Sequence, residues 1–304
     1  MNYAVIDLGS NTIHLLIFEV GENGDISKML SEKEVAGLAG HVENGALSDE
    51  GIQKACDILN KLKMIAFGLV DPMNVRVFAT ASLRNITNRD EAVRIITERT
   101  SLMPEILEGN DEALLGFAGA SQTVDMDDGL MIDIGGASTE LVRFRNGKAE
   151  YQASMPVGCL SLYMNCVRES VPEAHERAII EQIVIEELLK IGWIGDMKCK
   201  KLVGIGGTVR ALLKISRELD YVKEDSNEME TSHVKEILKM MRDHEDSDIY
   251  HVIYRTVPER ALTIFPGLMI LSTVIKQFGC ESITVSGSGI RDGYLIRRVL
   301  KRDD

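Results

Sequence analysis

The stretch Leu130-Met131-Ile132-Asp133-Ile134-Gly135-Gly136-Ala137-Ser138-Thr139-Glu140 decides how the chain is read. A short apolar run ends in an acid, then two glycines, small hydroxyl residues and a second acid. The run up to Asp133 predicts a buried strand. Paired glycines after a strand let the backbone turn tightly and bring its N–H groups close to an anion such as phosphate. Asp133 and Glu140 flank this loop and are hard oxygen donors suited to Mg2+. Taken singly, such a stretch is equally an ordinary turn with satisfied acids.

A second copy stands near the N-terminus as Ala4-Val5-Ile6-Asp7-Leu8-Gly9-Ser10-Asn11-Thr12-Ile13-His14-Leu15. Aligning Asp7 with Asp133 brings Ile6 onto Ile132, Gly9 onto Gly135 and Leu15 onto Leu141. Both copies continue as a strand, then reach Asn23-Gly24 or Asn146-Gly147, the strongest short hairpin signal. The repeat predicts two similar α/β domains, 1–124 and 125–304, with their loops facing across a cleft. The polar stretch 125–129 is read as the crossover, and the helix 292–304 as a segment able to pack back on the first domain.

A chain of 304 residues suffices for two cores, and 45% hydrophobic with 27% charged residues is ordinary for a soluble globular protein. Disorder is expected only in the acidic stretch 223–230. The net charge of −13 argues against non-specific nucleic-acid binding and against an anionic membrane surface. No signal peptide and no span near 20 apolar residues is evident. Five cysteines without a Cys-x-x-Cys read as free buried thiols, which points to the cytoplasm.

Further signals follow in order. Ser48 is placed as the N-cap of a helix with Ile52, Ala55, Leu59 and Leu62 on its core stripe. The strand 75–79 opens onto Thr80-Ala81-Ser82-Leu83-Arg84-Asn85, where α/β proteins place ligand groups. Asn88 is read as the cap of a helix to about Arg99. Asn110 is read as a cap followed by Asp111 and Glu112, two acids favoured at a helix start. Gly116, Gly119 and Ala120 form a smooth helix face suited to close packing. After the strand 201–205, Gly206-Gly207-Thr208 precedes a helix at 209–219 and suits a phosphate or a nucleotide. Helices are expected at 173–191, 232–242 and 267–278, and a last strand at 283–286 leads into Gly287-Ser288-Gly289. His244-Glu245-Asp246 reads as a solvated turn, and the histidines show no metal-ligand spacing.

Four glycine-rich turns after strands, at Gly9, Gly135, Gly206 and Gly287, resemble the sugar kinase, heat-shock chaperone and actin superfamily. More narrowly, the chain resembles the exopolyphosphatase / guanosine pentaphosphate phosphatase family, short two-domain type. The residues that carry this are Asp7 to Thr12, Ala79 to Arg84, Gly109 to Ala113, Asp133 to Glu140, Gly206 to Leu212 and Gly289 to Gly293, in family order. The resemblance implies two actin-like (ribonuclease H-like) domains and a Mg2+-dependent hydrolase that releases terminal phosphate from inorganic polyphosphate. Guanosine pentaphosphate ranks second as substrate. Glu112 is carried over as the base that deprotonates the attacking water, and Arg84 as a bidentate phosphate ligand. Gly9, Ser10 and Asn11, with Gly135, Gly136, Ala137 and Ser138, would cradle phosphates, and Gly206, Gly207 and Thr208 complete the phosphate set. Asp133 and Glu140, with Asp7 close by, would hold Mg2+. A homodimer is left open.

The family usually has glycine at Ala137, an arginine near Ser161, an Arg-Ala-Asp pattern where Arg260-Ala261-Leu262 stands, and Arg-Leu-Gly where the chain reads Ala36-Gly37-Leu38. Two alternatives stay in view. A kinase of the same superfamily needs an acceptor alcohol and ATP at the Gly206 turn. A non-catalytic sensor of guanosine tetraphosphate or polyphosphate is favoured by Ala137, Ser161 and Leu262.

Overall fold

A computed structural model of the chain describes residues 1–195, 197–243 and 247–302. His244-Glu245-Asp246 lies outside the described residues. The chain divides into two compact units, Met1–Glu112 with Tyr294–Asp304, and Ala113–Gly293.

The first unit opens with β1 (Asn2–Leu8), β2 (Thr12–Val20) and β3 (Ile26–Val35), paired antiparallel in sequence. A small hairpin, β4 (Val42–Glu43) and β5 (Ala46–Leu47), precedes α1 (Asp49–Phe67). Then come β6 (Val75–Ala79), α2 (Ala81–Arg84), α3 (Arg89–Thr100) and β7 (Glu105–Ile106). The sheet order is β3-β2-β1-β6-β7, with β6 parallel to both β1 and β7. Side chains alternate across a strand. Ala4, Ile6 and Leu8 therefore enter the core shared with α1 and α3, and Val5 and Asp7 turn to the other face. Phe78 lies on that other face, and Tyr294 packs over it with ring centroids 4.8 Å apart.

The helix α4 (Gly109–Ala120) carries the chain into the second unit. There follow β8 (Asp128–Ile134), β9 (Thr139–Arg145), β10 (Lys148–Met155), α5 (Cys159–Cys166) and α6 (Ala174–Leu189). Next are β11 (Lys201–Ile205), α7 (Gly206–Glu218), β12 (Glu228–Glu230), α8 (Ser232–Arg242) and α9 (Ser247–Thr256). The unit ends with α10 (Ile264–Phe278), β13 (Ser282–Val285) and α11 (Ile290–Tyr294). Its sheet order is β10-β9-β8-β11-β13-β12. Without the edge strand β12, both sheets share one order and one set of directions, two antiparallel pairings and then two parallel ones. This is the pair of similar α/β domains that the repeat predicts, one in each unit, and it agrees with the actin-like domains that the resemblance implies.

Several local readings change. The crossover expected at 125–129 lies inside the second unit, where β8 starts at Asp128 and the Gly147 N–H donates to Met126 O at 2.9 Å. The division falls at Glu112/Ala113, against 124/125 read from sequence. Ser48 Oγ does accept the Gly51 N–H at 3.2 Å. Asn88 does not cap α3; its amide pairs with both backbone groups of Leu47 at 2.9 Å. Asn110 lies within α4 rather than before it, because the Glu112 N–H already donates to Glu108 O at 2.9 Å. The acidic stretch 223–230 ends in β12, antiparallel to β13. Asn146 and Gly147 both have positive φ, 51° and 73°, as a type I′ turn needs, whereas at Asn23-Gly24 only the glycine does. An unanticipated Asn44-Gly45 pair, at 50° and 81°, joins β4 to β5. All five cysteines are free. Among the described residues no helix is long and apolar enough to cross a membrane.

The smooth face of α4 packs as its small residues suggest. A Cβ on Gly119 would overlap the carbonyl of Gly289, a backbone atom that cannot swing aside, while one on Gly116 would meet the flexible side-chain ends Ile205 Cδ1 at 2.9 Å and Met131 Cε at 3.4 Å. Gly119→Ala is therefore expected to destabilise the chain by about 3 kcal/mol, and Gly116→Ala by about 1 kcal/mol or less. Urea unfolding of the two variants measures the difference.

Candidate active site

Each unit ends its first strand in the same turn. In the first unit the Gly9 N–H donates to Thr12 O at 3.1 Å; in the second the Gly135 N–H donates to Ser138 O at 2.9 Å. These are equivalent positions of the repeat. The acids before the turns are equivalent too: Asp7 is the register partner of His14, and Asp133 that of Glu140. The closing bond has one consequence for anion binding, since the N–H groups of Gly9 and Gly135 are engaged within their turns.

In the first turn, Asn11 O accepts from Ala36 and Gly37 N–H at 2.9 Å, and Ser10 O from Ala39 N–H at 3.1 Å. The segment Val35 to Gly40, read as a glycine-spaced loop, thus straps the turn. In the second turn, Gly135 O accepts from Cys159 N–H at 3.0 Å, and Gly136 O from Leu160 and Ser161 N–H at 2.9 Å. A trans peptide points its N–H opposite its C=O. The Gly136 and Ala137 N–H groups therefore face away from α5, and the Asn11 N–H faces away from the strap. Ser10 and Ser138 are buried.

Arg84 and Glu112, separated by 28 residues, meet in the first unit. Arg84 Nη1 donates to Glu112 Oε2 and to the Leu107 carbonyl, both at 2.8 Å. The two side chains are only 11% and 12% exposed, so the pair is shielded from screening by solvent. The cluster 80–85 is not a solvated loop: α2 buries Ala81, Ser82 and Leu83, and the Ser82 hydroxyl donates to Leu8 O at the end of β1. Asp111, the neighbouring acid, is exposed and engaged elsewhere, with Arg298 Nη2 at 2.9 Å.

In the second unit Asp133 and Glu140 face each other across β8 and β9. Glu140 is buried at 1% exposure and accepts a hydrogen bond from Ser154 Oγ at 2.8 Å. Among the described residues no group of three or more His, Cys, Asp or Glu side chains is arranged to hold a metal ion. The expected third acid, Asp7, stands in the other unit. The third glycine turn starts α7 itself, three residues before the expected helix, and Gly206 has φ +77°. A Cβ on Gly206 would overlap Asp133 Oδ1, and one on Gly207 would overlap Arg260 Nη2. Thr208 does not offer its hydroxyl to a ligand: it is buried and donates to Ile134 O at 3.1 Å.

The structure adds charges to which sequence reading gave no role in the site. Arg260 lies beside Gly207. Arg210, one turn into α7, donates through Nε to Ser286 O at 3.3 Å, bridging the third and fourth glycine turns. Burial pushes the Arg210 guanidinium below its usual range, neighbouring Arg291 and Arg260 push the same way, and Asp133 and Asp292 oppose them. Asp292 accepts the Gly289 N–H at 2.9 Å. In the sequence Arg210, Arg291 and Asp292 stood inside the motifs that carry the family resemblance, each a few residues after a glycine turn.

The site thus combines a repeated acid-and-glycine turn, a shielded Arg–Glu pair and arginines beside further glycine turns. The chain matches the model of the Ppx/GppA phosphatase family over residues 16–302 and belongs to that family. A relative named guanosine-5'-triphosphate,3'-diphosphate pyrophosphatase, from Vibrio campbellii, is 31% identical over 313 residues, covering 99% of this chain and 60% of its own length. A second of the same name, from Vibrio parahaemolyticus, shows the same identity and coverage. The chain thus spans 60% of the length of these curated relatives. Among solved structures, an exopolyphosphatase from Cytophaga hutchinsonii superposes with TM-score 0.86 at 23% identity, covering 100% of this chain and 99% of that one. An Aquifex aeolicus member of the Ppx/GppA family does so with TM-score 0.79 at 23% identity, with the same coverage.

The contact between Gly206 and Asp133 gives a direct check. Gly206→Ala adds a methyl where the carboxylate stands and a side chain where φ is positive. Strain of about 1–3 kcal/mol is expected. Asp133 must move, so the variant is expected to melt at a lower temperature than the unchanged chain. Gly207→Ala, which meets only the mobile end of Arg260, is expected to keep its folded stability. Thermal melts of both variants make the comparison.

Proposed function

We propose that the chain is a phosphoanhydride hydrolase that releases the terminal phosphate of inorganic polyphosphate, with guanosine pentaphosphate as the second substrate. Family membership supports the class, and the Arg84–Glu112 pair at 2.8 Å is the observation that carries the reading. Phosphoryl transfer asks mostly for positioning and charge neutralisation. Arg84 uses Nη1 for Glu112 and Leu107, so Nη2 and Nε serve a phosphate. The same guanidinium fixes the Glu112 carboxylate, which takes the proton of the attacking water as its oxygen bonds to phosphorus and the bond to the bridging oxygen breaks. The N–H groups at Asn11, Gly136 and Ala137 receive phosphate oxygens.

Mg2+ is proposed as the cofactor. It is commonly held by one or two carboxylates together with substrate phosphates and water. Asp133, with Glu140 opposite it, fits that requirement, and the metal would neutralise phosphate charge when bound. A cytoplasmic enzyme is the matching compartment for the five free thiols. The names of the Vibrio relatives favour guanosine pentaphosphate as the second reading of the substrate.

Phosphate release from long polyphosphate, tripolyphosphate and guanosine pentaphosphate, with Mg2+ or with chelator and without an acceptor, tests the proposal. Release from polyphosphate that stops with chelator is expected. Turnover only when an alcohol is added means the kinase, and tight binding without turnover means the sensor.

The adjacent acids Asp111 and Glu112 give the sharper test. Glu112→Gln is expected to lower kcat by about 10²–10⁴-fold with KM nearly level, because Arg84 and the turns stay in place. Asp111→Asn removes only an exposed contact to Arg298 and is expected to keep near-normal kcat. Steady-state kinetics of the two variants decides which carboxylate is the base.

A further inference from the structure

A second concavity lies in the second unit, away from the glycine turns. The end of α6, residues 191–195 with Lys198, and the C-terminal half of α10 line a cavity of about 520 Å³. This is within the roughly 300–1,000 Å³ of small-molecule sites. The N-terminal part of α10 is seated elsewhere: a Cβ on Gly267 would touch Thr208 Cγ2 at 2.6 Å. From Gly267 to Gln277 the helix rises roughly 15 Å, so the cavity is separate from the turn that Thr208 belongs to.

Its chemistry is two-sided. Ile185, Leu188, Leu189 and Ile194 supply apolar wall, and Leu189 is 74% exposed. Among the described residues Lys198 and Lys276 stand on the same lining with one acid, Glu181. Lys198 Nζ donates to Gln277 O at 2.8 Å, and Lys276 reaches Glu181 only at 3.5 Å. An ammonium has three donors, so each lysine keeps further N–H groups for an anion. We propose that this cavity binds a single-chain anionic amphiphile, its hydrocarbon tail covering the leucine and isoleucine wall and its carboxylate set between Lys198 and Lys276.

The chain carries its own reporter. Trp193 is its only tryptophan. It lies in the segment that lines the cavity, stacked on Tyr151 at 5.9 Å and 6.2 Å from Phe278. Gly192 offers a way to fill the space, since a Cβ there meets no atom within 4 Å. The test titrates the full chain with decanoate below its micelle concentration and follows Trp193 emission, with decyltrimethylammonium and anionic phospholipid vesicles as parallel arms. A saturable response to decanoate, at one molecule per chain, is expected, with none to the cation. Gly192→Phe, and separately Lys198→Glu with Lys276→Glu, are each expected to weaken binding at least about tenfold while the thermal melt is kept. If Gly192→Phe does not fold, the lysine variant decides alone. The proposal is overturned by the absence of saturation, by an equal response to the cation, by unchanged binding in the folded variants, or by a response to vesicles without one to free decanoate.

Discussion

The turn at Gly206 exists because hydrogen, and not methyl, faces Asp133. β8 and β11 are parallel neighbours, and Ile205 is the register partner of Asp133. A chain leaving β11 must therefore pass directly over the carboxylate that ends β8, and it does so with positive φ. The rest of the second site is hung from that passage. α7 begins within it, Thr208 ties the helix back to Ile134, and Arg210 reaches across to the Ser286 carbonyl. Three strand ends are thus held together by one backbone approach and two side-chain bonds.

The first site is organised by charge instead. A guanidinium and a carboxylate nearly removed from solvent hold each other in place, and the Leu107 carbonyl fixes the guanidinium from a second side. Removing two charges from water is costly unless both are well bonded. Such a pair is therefore weak evidence of stabilisation and stronger evidence of a geometry that has to be kept. The catalytic roles proposed for Arg84 and Glu112 would benefit from such fixed orientation, because no reorganisation is then needed at the moment of reaction.

The architecture was legible because the repeat writes it twice. An acid at a strand end, a glycine two residues on and a hydrophobic return strand produced the same turn in both units, down to the closing N–H to carbonyl bond. The resemblance put Arg84 and Glu112 in one proposed set, but nothing in their separate neighbourhoods announces that they touch. What remained hidden was tertiary. Asn88 had the chemistry of a cap, but the backbone of Leu47 offered its amide two partners at once. Thr208 had a hydroxyl at a glycine turn, but a carbonyl of the adjacent strand took it. Arg260 became part of the third turn only because the chain brings it beside Gly207 from 53 residues away. Side chains with several possible partners are settled by packing, which local sequence does not encode.

The return of the last residues to the first unit bears on how the molecule is made. The second unit is one uninterrupted length of chain, Ala113–Gly293, and is whole once Gly293 has been synthesised. The first unit has all of its described strands long before that, yet Phe78 waits for Tyr294 to cover it. Domains made on the ribosome ordinarily close in the order in which they emerge. Here the unit that begins first is the last to be completed, and through most of synthesis it must carry one sheet face unfinished.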